Sequence, residues 1–439
     1  MTPKEKNQLL KTFFNAIPLQ VTSPPGDNSV AAYVPGLHSS EGRDPVGELA
    51  TNIGFNEGAA SYLFTGHRGT GKTTELIRLK AALEEAGCVA FYVDMVDYLN
   101  ETSPIGVSYL LTTMLGALSE AFDARYAANP LQQSWWERFK HFVQATTVTP
   151  SEIGLAGGLD KLATIDIKLA LKTNPHFKQI VQTALDGALE AFMKDAREFA
   201  DEIVAAIRES TLDPGKKVVL IVDSLEKIRG SGAGAEQIYA SINDTFHGNA
   251  TNLRFNTLHV VYSVPPTLPL IAPGIGSLYS GGLCGLPQVK VESRGVPGQP
   301  NARYEHGIEQ MIKVVATRVS NWESVFARAQ LERLARVSGG NLRIFFLLIQ
   351  RVLLKAPSVD LPLANETLIE QAENDVRADM QLTDEDRVWL KRVANTHSSG
   401  LDKIENLATL GRLCDNLLIL DYRNGDLWYD VLPLVRERL

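Results

Sequence analysis

The spacing of apolar and polar positions changes along the chain, and the changes mark out elements. Ser61-Tyr62-Leu63-Phe64-Thr65 is a short apolar run, and Cys88 to Val93, ending at Asp94, is another. Val218-Val219-Leu220-Ile221-Val222 is unbroken, as in a strand buried on both faces of a parallel sheet. His259-Val260-Val261-Tyr262-Ser263 and Leu286 to Val291 read as further strands. Between them the period lengthens. Thr73 to Ala86 places Leu76, Ile77, Leu79 and Leu83 at helical spacing, and Pro104 to Ala128 reads as a helix. Strands alternating with helices predict an α/β core built on a parallel sheet sandwiched by helices.

Before that core, residues 1 to about 57 read as an extended segment. Pro24-Pro25-Gly26, Pro35-Gly36 and Asp44-Pro45 are turn signals, with a short helix over Pro45 to Ile53. An insert occupies about 130–210. There Ile165, Ile167, Leu169 and Leu171 alternate with Asp166, Lys168, Ala170 and Lys172, predicting a strand with one wet face. Ile153 to Leu159, with Gly157-Gly158, is its candidate hairpin partner, and His176 to Arg208 reads as one long amphipathic helix. The insert is either a docking surface or an enlarged core.

After about residue 300 the chain reads as helical: Glu305 to Arg318, Trp322 to Val337, Leu342 to Lys355 and Ala364 to Met380, with a break at Ser338-Gly339-Gly340-Asn341. Two more helices, Val388 to Asn395 and Ile404 to Cys414, precede Leu417-Leu418-Ile419-Leu420. Asn424-Gly425 then separates that run from Leu427-Trp428-Tyr429, a hairpin signal. Helices closed by a hairpin predict a winged helix. The expected division is an N-terminal segment 1–57, a core 58–300, a helical lid 301–380 and a winged helix 381–439.

Composition narrows the function class. The 51 acidic side chains outnumber the 43 basic ones, which argues against a surface that grips nucleic acid throughout. From 383 to 439 there are eight basic against ten acidic side chains, so the module best shaped to read DNA is itself acidic. Nucleic acid is a partner of second rank. Cys88, Cys284 and Cys414 are scattered, the N-terminus has no secretory pattern, and no run of about 20 apolar residues occurs. A cytoplasmic protein with no membrane partner is expected.

Candidate chemistry sits at the ends of the strands. Gly66-His67-Arg68-Gly69-Thr70-Gly71-Lys72-Thr73 fits G-x-x-x-x-G-K-[ST] at every specified position, and Thr74 follows. Such a loop turns its N–H groups toward phosphate oxygens at a helix N-terminus. Lys72 reaches the β- and γ-phosphates and the Thr73 hydroxyl binds Mg²⁺. The bland alternative is a glycine-rich turn, but a strand precedes this one and a helix follows.

Asp223 ends the Val218 strand, where a carboxylate can hold Mg²⁺ through water, and Glu226 can orient an attacking water. The rival reading is a helix cap with Glu226 completing a capping box. No guanine-reading N/T-K-x-D element follows, which favours adenine. Ser263, ending the next strand, either meets the γ-phosphate or starts a turn before Pro265-Pro266. Arg343, in Gly339-Gly340-Asn341-Leu342-Arg343, either folds over the nucleotide or forms a surface ion pair.

Together, the P-loop, the distant Walker B strand, the polar strand end, GGNLR in a helical lid and the terminal hairpin resemble the AAA+ superfamily of P-loop ATPases. Within it the pattern is similar to the STAND and origin-recognition branches, over roughly residues 58 to 439. The resemblance implies an ATPase using ATP and Mg²⁺, with Ser263 as sensor 1 and Arg343 as sensor 2. Glu226 departs from the family's common adjacent Asp-Glu. Val264 stands where an arginine often follows sensor 1, leaving Arg254 as the weak candidate for a finger and a surface role as its alternative. Neither an effector domain nor a repeat sensor is legible. The expectation is therefore a homo-oligomeric, ATP-controlled switch acting on a separate effector or sensor protein, in a setting such as antiphage defence. The alternatives are a DNA-binding ATPase of origin-recognition or transposition-regulator type, and a nucleotide-bound scaffold with little turnover.

Overall fold

Val218–Asp223, Leu258–Val264 and Ser61–Gly66 are buried at every position, as unbroken apolar runs require when both faces of a sheet are covered. The computed structural model describes residues 2–19, 33–38, 43–127, 131, 133–145, 166–228, 234–296, 299, 301–403, 406–424 and 426–439. In chain order the strands are β1 (Ser61–Gly66), β2 (Val89–Asp94), β3 (Val218–Asp223), β4 (Leu258–Val264), β5 (Leu283–Leu286), β6 (Glu292–Ser293), β7 (Ala302–Arg303), β8 (Ile419–Asn424) and β9 (Asp426–Val431). The principal helices begin with α1 (Pro3–Ala16), α2 (Pro45–Phe55), α3 (Lys72–Glu85), α4 (Val107–Arg125) and α5 (Trp135–Ala145). They continue with α6 (Ile167–Thr173), α7 (Pro175–Gly187), α8 (Leu189–Thr211), α9 (Ala235–Asn243), α10 (Glu305–Arg318) and α11 (Arg328–Val337). The last are α12 (Leu342–Lys355), α13 (Thr367–Asp379), α14 (Asp384–Thr396) and α15 (Leu407–Asp415).

The described residues form two compact units: 46–65 with 75–285, and 1–45 with 66–74 and 286–439. The first holds the core of a five-stranded α/β sheet in the order β2-β3-β4-β1-β5, flanked by helices. Parallel pairing of β2–β3, β3–β4 and β4–β1 brings Asp94, Asp223, Val264 and Thr65 to one edge. Ligands in open α/β sheets bind at that edge. The second unit holds helices α10 to α13 and the helix-and-hairpin block α14, α15, β8 and β9, a winged helix. In this unit the buried Asp430 of β9 shares Arg436 with the buried Glu292 of β6, at 2.6 and 3.4 Å.

Several elements depart from the sequence reading. Residues 3–16 are helical rather than extended. A reciprocal Thr2–Glu5 capping box starts α1, Pro3 fits its first turn, and Phe13 packs edge-on against Phe326 at 5.6 Å. The strand expected around Ile167–Leu171 is the helix α6. Ile167 and Leu171 are buried one helical turn apart, whereas Leu169 between them is exposed, so a period of four won over a period of two. Asp166 caps it by accepting from Leu169 N–H at 3.0 Å. The proposed partner over Ile153–Leu159 lies outside the described residues, as does Pro24-Pro25-Gly26.

The single helix expected over His176–Arg208 is two, α7 and α8, parted at Gly187–Ala188. The strand expected over Leu286–Val291 ends at Leu286, because Pro287 cannot donate to a ladder. The helix expected from Trp322 is one tight turn over Trp322–Ser324, and α11 starts at Arg328.

Candidate functional site

β1 ends where the glycine-rich loop begins, and α3 starts at Lys72, so the loop joins a buried strand to a helix N-terminus. Thr70 is buried and its hydroxyl donates to His67 O at 2.9 Å, closing the loop on itself. The Lys72 ammonium donates to the same carbonyl at 2.9 Å. Thr73 is half-buried, and Thr74 and Arg68 are exposed. Gly69 sits at φ +81°, and a Cβ there would meet Arg343 Cβ at 2.6 Å and Asn341 Oδ1 at 2.7 Å. Only glycine satisfies both the left-handed backbone and that approach. Phosphate-binding loops need this kind of backbone freedom, and the residues present fit a nucleotide's phosphates.

The loop's other neighbours in its unit come from the lid and the hairpin. Asn341 is fully buried and caps α12, its Oδ1 accepting from Ile344 N–H at 3.1 Å. Its Nδ2 donates to Arg68 O at 2.8 Å and to Gln288 Oε1 at 3.2 Å. Gly340 precedes it at φ +74°, where a Cβ would lie 1.8 Å from Val289 O, so the turn admits no side chain. Tyr422 of β8 donates to Gly339 O at 2.7 Å. His67, 1% exposed, places Nε2 3.3 Å from Asp421 Oδ1 of the same strand. Burial pushes the His67 imidazole below its usual range. Asp421 opposes that shift and Lys72 adds to it. Arg343 is half-buried on the first turn of α12.

In the sheet unit, Asp223 is fully buried. Its Oδ1 accepts from Ser224 N–H at 2.7 Å, and its Oδ2 accepts from the Tyr92 hydroxyl at 2.7 Å. Ser224 is left-handed at φ 70°, and the chain then makes one tight turn, Leu225–Lys227. That bend carries Glu226 to β4, where Glu226 Oε2 accepts from the Ser263 hydroxyl at 2.8 Å. Ser263 Oγ also accepts from Leu225 N–H at 3.2 Å. The turn aims Glu226 at Ser263, and its left-handed, non-glycine start is a strained feature of the kind that collects at working sites. Arg254 is exposed and its guanidinium donates to Leu278 O.

Three of these residues escaped the sequence reading. Tyr92 looks like any aromatic of a buried strand, and only the β2–β3 register brings it to Asp223. Asn341 carries an N-cap signal, asparagine before an apolar helix, but nothing local reveals its grip on Arg68. Asp421 carries no signal.

No protein-family profile matches the chain, and no curated protein matches it. Among solved structures it is similar to Cdc6p from Pyrobaculum aerophilum, at 11% identity and TM-score 0.36, over 95% of this chain and 92% of that one. It is also similar to the Aeropyrum pernix ORC2 protein in its ADPNP–ADP complexes, at 11% identity and TM-score 0.37, over 91% and 94%. A third is the Drosophila ORC bound to DNA, at 13% identity and TM-score 0.33, over 98% and 97%. No described helix is long and apolar enough to cross a membrane.

Proposed function

We propose that this chain is an ATPase that works as a nucleotide-controlled switch, assembling with copies of itself and acting on a separate effector or sensor protein, in a setting such as antiphage defence. The observation that carries this reading is the environment of the phosphate loop. Gly69 touches the lid through Arg343, and His67 touches the hairpin strand through Asp421. A loop that changes shape with its nucleotide would therefore push directly on both the lid and the hairpin.

In this proposal the N–H groups of residues 66–74 and the first turn of α3 bind the phosphates, and Lys72 neutralises them. The Thr73 hydroxyl and the Asp223 carboxylate are the groups proposed to hold Mg²⁺, which would stabilise charge on the β- and γ-phosphate oxygens. Glu226 orients and deprotonates water, held in place by Ser263. Arg343 reports the nucleotide to the lid. The native mass of the purified full chain tests the switch. Mg²⁺-ATP should convert it to a larger assembly, and an unchanged mass with and without ATP would sink the oligomerising part of the reading.

A further inference from the structure

Asn341 does two separable things with one side chain. Its oxygen caps α12 through Ile344 N–H at 3.1 Å. Its amide nitrogen donates to Arg68 O at 2.8 Å, a main-chain carbonyl of the phosphate loop 273 residues earlier in the chain. A phosphate loop works by turning N–H groups inward, so its carbonyls must find donors elsewhere or cost about 1–3 kcal/mol each when buried. Asn341 is 0% exposed and supplies such a donor. The amide is itself braced from behind by Gln288 Oε1 at 3.2 Å. The turn that presents it admits no side chain at Gly340, where a Cβ would strike Val289 O at 1.8 Å. The loop's own Gly69 is in turn shaped to the Asn341 amide, 2.7 Å from where a Cβ would sit.

We infer that Asn341 is a positioning residue for phosphate binding: it grips the outer, carbonyl side of the Gly66–Thr73 loop, so that the lid preorganises the loop before nucleotide arrives. This rests on the proposal that the loop binds ATP. It differs from the part given to Arg343, because Asn341 acts on the main chain of the loop. The same bond ties loop and lid, so preorganisation of one is docking of the other.

Asn341→Asp and Asn341→Ser read together separate the two tasks, because the aspartate also sets a negative charge beside the loop and the serine does not. Aspartate keeps the cap acceptor for Ile344 N–H and is an equally good N-cap, but it removes the donor to Arg68 O. The readouts are the affinity of the full-length chain for a fluorescent, non-hydrolysed ATP analogue with Mg²⁺, and hydrogen exchange of residues 66–74 without nucleotide. Affinity is expected to fall about tenfold, the worth of one hydrogen bond of this kind. Exchange in 66–74 is expected to rise while the first turn of α12 stays protected. Asn341→Ser, which keeps a cap acceptor without adding charge, is expected to do the same and serves if the carboxylate disrupts the turn. Wild-type affinity and unchanged exchange in 66–74 in these variants would overturn the inference. Failure of the wild type to bind the analogue at all would instead overturn the ATP reading, and the exchange comparison would still decide whether Asn341 orders the loop.

Discussion

The Ser263 hydroxyl donates to Glu226 Oε2 at 2.8 Å, tying the end of β4 to the turn after β3. Sequence spacing sets Glu226 three residues past Asp223, an unpromising distance for a catalytic carboxylate. The left-handed Ser224 removes the difficulty by folding the chain back. Glu226→Gln should keep ATP affinity while turnover falls by at least ~100-fold, the range of general-base catalysis. Ser263→Ala should leave the base present but loosely held, with turnover down by roughly tenfold. Phosphate release under saturating ATP measures both. Equal turnover in Glu226→Gln and the wild type would remove Glu226 from the mechanism.

Arg436 faces two buried carboxylates, Asp430 and Glu292, 2% and 8% exposed. Arg436→Met keeps much of the side chain's volume and removes its charge. Arg336 still reaches Glu292 at 3.3 Å, and Asp430 keeps the Asn301 amide and the Val431 N–H but loses its arginine. A loss of about 3 kcal/mol is expected, as for one partner removed from a buried pair. Denaturant midpoints of the two proteins check it, and coincident midpoints would refute it.

His259, on β4, is buried beside Lys217 and Arg208, with its ring stacked on Tyr62 at 6.2 Å. Burial first, and the two cations second, push its imidazole down to about 4. Between about 6.5, the unperturbed value, and that level, the unfolded chain binds more protons than the folded one. Stability from this group is therefore complete above about 6.5 and is lost as the pH falls through about 4, a loss on the order of 3 kcal/mol. His259→Phe should flatten the acid limb of the stability curve. Parallel curves for wild type and variant from pH 7 to 4 would contradict the assignment.

The range of each signal decides how much of the molecule its sequence discloses. β1, β3 and β4 announce themselves because every side chain is buried, and the phosphate loop because its glycines and Lys72 lie within eight residues. The insert misleads because Ile167 and Leu171 satisfy periods of two and four alike, and burial alone chooses between them. The N-terminal helix is hidden by its polar face and by the prolines after it. Within the site, Asp223 and Glu226 are legible from the strand they follow. Tyr92, Asn341 and Asp421 act through contacts that only the register of β2 and β3, or the packing of lid and hairpin on the loop, brings about.

In the proposed function the loop at Gly66–Thr73 holds a nucleoside triphosphate through Lys72. This is tested most directly by equilibrium titration of the full-length chain with Mg²⁺-ATP, beside Lys72→Ala. Saturable binding of one ATP per chain is expected in the wild type, and its loss in Lys72→Ala, with both proteins equally folded. Absence of binding by the wild type at millimolar ATP, or undiminished binding by Lys72→Ala, would contradict it.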